Sequence, residues 1–205
     1  MDSKEIYFYL TLVVVILIVV FGVYVVLNID FSEYKHVVVK QNVEFVSNSA
    51  EPSLIIDSIR SADTLVFSPA FVESGEENSY MVESLTMFST VFSAKGKNLI
   101  VLARVFDSSG NMVSCNSNFG DLKRNEEVSL EDCKKMLSDK DSAIVLVQLP
   151  SNSRKARVVL EGKSAEIISP DIKAVPYVSF ALLEAIYPDS ANIIKNVNLA
   201  LAGMK

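Results

Sequence analysis

A single histidine among 205 residues removes most of the chemistry that a sequence can advertise. A Ser-His-Asp triad, a Cys-His pair and most zinc sites all need an imidazole. His36 has no other ligand type close by, so it reads as a polar residue near an interface, and no metal site is expected. Glycine is also scarce, at seven residues. They form neither a G-x-G-x-x-G turn after a first strand nor a G-x-x-x-x-G-K-[ST] loop, so neither route to nucleotide binding is open and no cofactor is expected. Lys and Arg number 19 against 25 acidic residues, for a net charge of −6, with no basic stripe or aromatic-basic interleaving. Nucleic acid is therefore excluded as a partner, because it attracts clustered cations. Arg154, Lys155, Arg157 and Lys163 form the one basic-leaning stretch, and they alternate with apolar positions as a solvated strand face does. No Asn-x-Ser/Thr acceptor occurs, and no internal repeat or low-complexity segment.

What the chain does have is a long apolar run. From Ile6 to Ile29 there is no acid or base apart from tyrosine hydroxyls, and 6–27 is almost continuously Val, Ile, Leu, Phe and Tyr. At 1.5 Å per residue a helix over 6–27 spans roughly 33 Å, enough for a hydrocarbon core of about 30 Å. A strand of that length leaves its backbone unsatisfied in lipid, which decides for helix. Tyr7, Phe8 and Tyr9 at one end and Tyr24, Phe31 and Tyr34 towards the other suit interfacial belts. The run exceeds a signal peptide's apolar region, and Leu27-Asn28-Ile29-Asp30-Phe31 offers no cleavage site. A pilin-type helix would carry its acid inside the run, whereas Glu5 precedes it.

The expected organisation is a tail over 1–5, an uncleaved transmembrane anchor over 6–27, a connector over 28–36 and one α/β domain over 37–205. Membrane lipid is thus one expected partner, through 6–27, and a protein the other. Lys4 on one side is balanced by Lys35 and Lys40 on the other, so charge does not orient the anchor. The two cysteines favour an extracytoplasmic domain, since a disulfide needs an oxidising compartment.

Within the domain, β-branched residues predict a strand over 37–46, and Ser49-Ala50-Glu51-Pro52 opens a short amphipathic helix to about Ser61. Thr64–Phe67 reads as a strand ending at Ser68-Pro69, because proline cannot donate to a central ladder. Met81, Leu85, Phe88 and Phe92 share one face of a helix from Ser79 to Lys95 that Gly96 closes. Leu99–Phe106 and Ala143–Leu149 are near-continuous apolar strands, as in parallel sheets covered on both faces. A turn over 107–111 leads to a short return arm, Met112–Cys115. Ser129 and Asp132 have capping-box spacing for a helix to Leu137. A hairpin over 156–168 and two last helices, the first opened by Pro176, complete the chain. The expected fold class is therefore an N-terminal transmembrane helix plus a three-layer, Rossmann-like α/β domain, its sheet mainly parallel, with a C-terminal hairpin and helices.

In such sheets ligands bind beyond the carboxyl ends of the strands. Asp107, Asn116, Asn118 and Asp121 make the leading candidate site there, although turn formation explains the same residues. Glu73, Glu76 and Glu77 are a second acidic group, more simply read as solvated loop charges. Cys115 and Cys133 are either a disulfide pinning the loop between them or two separate buried thiols. No catalytic residue is assigned, and whether the chain is an enzyme stays open. Two functions survive. One is a membrane-tethered, noncatalytic binding or assembly module of the cell envelope. The other is a membrane-anchored hydrolase or transferase using strand-end carboxylates with a divalent cation.

Overall fold

The computed structural model describes residues 34–203 except 74, 76, 77, 120–124, 140, 141, 152 and 154, and of 118, 119, 125 and 199–203 the backbone alone. The expected anchor, 6–27, lies outside the described residues. Among the described residues no helix is long and apolar enough to cross a membrane, so no transmembrane helix enters the architecture below.

The chain runs β1 (His36–Lys40), β2 (Val43–Ser47), α1 (Pro52–Ser61), β3 (Thr64–Val72), α2 (Asn78–Ala94), β4 (Asn98–Phe106), β5 (Met112–Phe119), β6 (Asn125–Val128), α3 (Leu130–Leu137), β7 (Ala143–Val147), β8 (Arg157–Glu161) and β9 (Ser164–Ile168). A 3-10 turn at Ile172–Ala174 then leads into α4 (Val175–Ile186) and α5 (Ser190–Gly203). All nine strands join one sheet in the order β1-β2-β8-β9-β7-β3-β4-β5-β6.

This sheet corrects the expected fold class. It is mixed, with four parallel pairings (β2–β8, β3–β4, β3–β7, β7–β9) and four antiparallel ones (β1–β2, β4–β5, β5–β6, β8–β9). The cause is local. Consecutive strands joined by a short turn can only return antiparallel, whereas a parallel neighbour needs a crossover of a dozen or more residues. Gln41-Asn42, the Asp107–Asn111 turn and Gly162 each close such a hairpin. The expected single strand over 37–46 is two strands for the same reason. Nor do the helices cover both faces evenly, as the Rossmann-like reading requires. The larger core gathers α1, α2 and α4 on one face, with α5 packed alongside. Opposite them, among the described residues, the smaller core contains only α3, over β3, β4, β5 and β7.

Alternation along β3 shows how one strand serves both cores. Leu65 and Phe67 face the helical side and Val66 faces α3, all at most 3% exposed. Phe67 stacks on Phe88 of α2 at 4.5 Å between ring centroids, Phe88 neighbours Phe92, and Phe92 meets Tyr187 edge-on at 5.5 Å. Offset and edge-on pairs of this kind add about 1 kcal/mol each beyond the area they bury. Met81, Phe88 and Phe92 of the α2 stripe are fully buried and Leu85 is half-buried, as the four-three-four spacing requires.

β3 does not stop at Pro69. It continues to Val72 in the centre of the sheet, and the β3–β4 register breaks only at Ser68-Pro69. In a parallel ladder the N–H of residue 69 would donate to Leu102 O, and proline has none. Ser68 Oγ donates to that carbonyl instead, at 2.7 Å. A side chain one residue upstream thus fills the acceptor that proline leaves empty, and the strand survives.

Candidate functional site

The carboxyl ends of β3, β4 and β7 lie side by side, and the residue that dominates them is Arg104, which the sequence did not single out. Arg104 is 7% exposed. Its Nε donates to Ser68 Oγ at 2.9 Å, and its Nη2 donates to Ser68 O at 3.1 Å and to Val147 O at 2.8 Å. Nη1 has only a 3.4 Å contact with Gln148 Oε1, and Gln148 in turn donates to Glu166 Oε1 at 2.5 Å. Burial lowers the Arg104 pKa, and the charge of Glu166 opposes that shift. One guanidinium therefore bridges β4, β3 and β7 where the proline interrupts their ladder. A cation in this role needs acceptors all round, because a buried charge without partners is costly. Backbone carbonyls and Gln148 supply them, so the cluster is explained as repair of the sheet.

The sequence-nominated residues sit elsewhere and are only partly gathered. Asp107 occupies an exposed turn after β4. Its Oδ1 accepts from Asn111 N at 2.8 Å and Ser109 N at 2.9 Å, and its Oδ2 from Asn111 Nδ2 at 3.3 Å. The backbone hydrogen bond from Asn111 is the main cause holding the Asp107 carboxyl below its ordinary range. Asn116 pairs with Ala103, four residues before Asp107 on β4, so the two are roughly 13 Å apart along the strand. Asn118 pairs with Val101, further again from the turn. Asp121 lies outside the described residues.

Glu73 is the nearer neighbour of Asp107. Its N–H donates to Phe106 O, and the two acids follow adjacent strands. Glu76 and Glu77 lie outside the described residues. Among the described residues no group of three or more His, Cys, Asp or Glu is placed to hold a metal ion. Cys115 of β5 and Cys133 of α3 form a disulfide, S–S 2.03 Å, both fully buried in the smaller core.

The exposed feature that stands apart is strand β1. It ends the sheet and presents Val37, Val38 and Val39 at 44, 47 and 64% exposure. Glu44 N donates to Ala156 O beside β8, so the Glu44 backbone points away from β1. Val39 is paired with Glu44, and Val37 with Val46. In an antiparallel ladder such pairs turn their N–H and C=O groups outward, and at β1 outward is, among the described residues, the open edge.

The strand is also held firmly. Its turn places Gln41 at φ 50° and Asn42 at φ 57°, left-handed values that glycine normally supplies in two-residue hairpins. Two contacts from α4 offset that strain. Tyr177 donates its hydroxyl to Gln41 O, and Gln41 Nε2 donates to Glu184 Oε2. At the other end Lys35 N donates to Asn48 Oδ1 at 3.0 Å, and His36 Nδ1 lies 2.8 Å from Glu51 Oε1.

Comparison of the chain with protein-family models, with curated proteins and with solved structures finds no match.

Proposed function

We propose that this protein is a noncatalytic binding and assembly module tethered to a membrane, and that β1 is its contact edge. The observation that carries the reading is the state of β1: three exposed valines and an outward row of amides and carbonyls, on a strand fixed by contacts at both ends. An edge that is apolar and, among the described residues, unpaired is a template for another strand, and natural proteins normally blunt such edges. Fixing the strand in advance reduces the ordering entropy that a partner must overcome.

The uncharged run over 6–27 supports the tether, and the Cys115–Cys133 bridge supports a domain outside the cytoplasm. The hydrolase reading draws less support, because the hydrogen bonds on Asp107 close its own turn.

Thiol accessibility tests the contact edge. In native membranes, Val39→Cys is expected to react with a membrane-permeant maleimide at least fivefold more slowly than Glu127→Cys on β6. Detergent dilution is expected to abolish the difference. Equal rates in native membranes would overturn the reading.

A further inference from the structure

We propose that the strand added to β1 is β1 of a second copy of this chain, antiparallel about a twofold axis through Val38. The inference rests on β1 being the contact edge and adds the identity of the partner. The outward backbone groups belong to Val37 and Val39. Antiparallel pairing that places Val37 opposite the second copy's Val39, and Val39 opposite its Val37, aligns every one of those groups. Four N–H···O=C bonds form, and the two Val38 side chains meet at the non-bonded position between them, where side chains approach most closely. All three exposed valines are covered by their own counterparts. Sliding the register by two residues in either direction leaves outward groups unpaired.

The charges at the strand ends fit the same axis. In this register His36 stands opposite the second copy's Lys40, on the face that Val38 shares. Glu51 holds His36 at 2.8 Å and keeps its carboxylate largely exposed. Among the described residues Lys40 has no ion-pair partner. Each copy therefore brings its Lys40 ammonium to the other's His36–Glu51 pair, twice over by symmetry, as an isologous interface requires. A foreign peptide would have to reproduce the valine triplet and the terminal lysine together. A single strand pair is a small contact, and confinement of both copies to one membrane plane raises their effective concentration.

The test uses the full chain in proteoliposomes. Its own cysteines are bonded to each other, so a new thiol reports alone. Under mild oxidation Val38→Cys is expected to give a disulfide-linked dimer at least tenfold faster than Val82→Cys, which places a thiol at a half-exposed position on α2. Adding Val39→Pro removes an outward N–H, and none that bonds β1 to β2, and is expected to abolish the difference. Lys40→Glu and Glu51→Lys, each added singly to Val38→Cys, are expected to slow linking, and the two together to restore it.

Equal linking at positions 38 and 82, or a double charge exchange as slow as the singles, would overturn self-pairing. If Val39→Cys is protected in native membranes while Val38→Cys fails to link in proteoliposomes, self-pairing is wrong and the contact edge stands. If that protection is absent as well, both readings fall.

Discussion

The sheet has two edges, and they are treated in opposite ways. β6 ends it with Asn-Glu-Glu-Val, four residues whose two carboxylates repel a second strand of the same kind. β1 ends it with His-Val-Val-Val-Lys, five residues whose central three offer apolar side chains to either face. Their attachments differ too. The β5–β6 end is fastened covalently, through Cys115 and Cys133 beside it, whereas β1 is fixed by hydrogen bonds exchanged between α4 and the hairpin turn. One edge is charged, and the other is apolar and held in place. Because both belong to one sheet in one chain, neither composition nor fold class accounts for the difference.

The largest expected effect sharpens the contrast in attachment. Replacing both Cys115 and Cys133 with Ala is expected to lower unfolding stability by about 3 kcal/mol, the chain-entropy value for a loop of this length. Amide exchange is expected to accelerate over 112–137 and to leave β1 and β2 unchanged. Equal acceleration at β1 would mean that the two ends unfold as one unit.

A smaller effect comes from removing the charge that closes β6. Glu126→Val with Glu127→Val is expected to give that edge a self-association absent from the parent, roughly tenfold in apparent affinity or about 1.4 kcal/mol. Sedimentation of the detergent-solubilised chain carrying Val39→Pro measures it without the other edge. No gain would show that charge is not what blunts β6. The smallest effect is at the β1 turn. Tyr177→Phe keeps the ring and removes the hydroxyl that donates to Gln41 O, and is expected to cost about 1 kcal/mol. Denaturant unfolding reads the loss, and faster exchange at Val43 would locate it at the turn.

Much of the local structure was legible because its causes are local. The α2 stripe follows from apolar spacing, and the start of α3 from Ser129, whose Oγ accepts from Asp132 N at 3.1 Å. The rest has causes that are not local. Gln41-Asn42 lacks the glycine that marks a left-handed turn, and the groups that support it, Tyr177 and Glu184, come more than 130 residues later. With 37–46 read as one strand, no edge was visible. Pro69 should end a central strand by its own chemistry, and the donor that rescues β3, Ser68, acts on a carbonyl of a different strand. Arg104 is one charged position in an otherwise apolar strand, and nothing marks it until β3 and β7 lie beside it. Asp107, Asn116 and Asn118 are close in sequence, and the hairpin carries Asn116 and Asn118 back along β4, opposite Ala103 and Val101.

The sequence by itself determined where the apolar faces lie, which residues start the helices, which chemistries one histidine and seven glycines exclude, and which two cysteines were available to bond. Periodicity, capping and composition act within a few residues of one another, so they can be read along the chain. Only the tertiary structure decided which strands became edges, which face received three helices and which received α3, and whether a proline would break the sheet. Those outcomes depend on hydrogen-bond partners far away in sequence, and a backbone amide is paired or unpaired only once its neighbour is known.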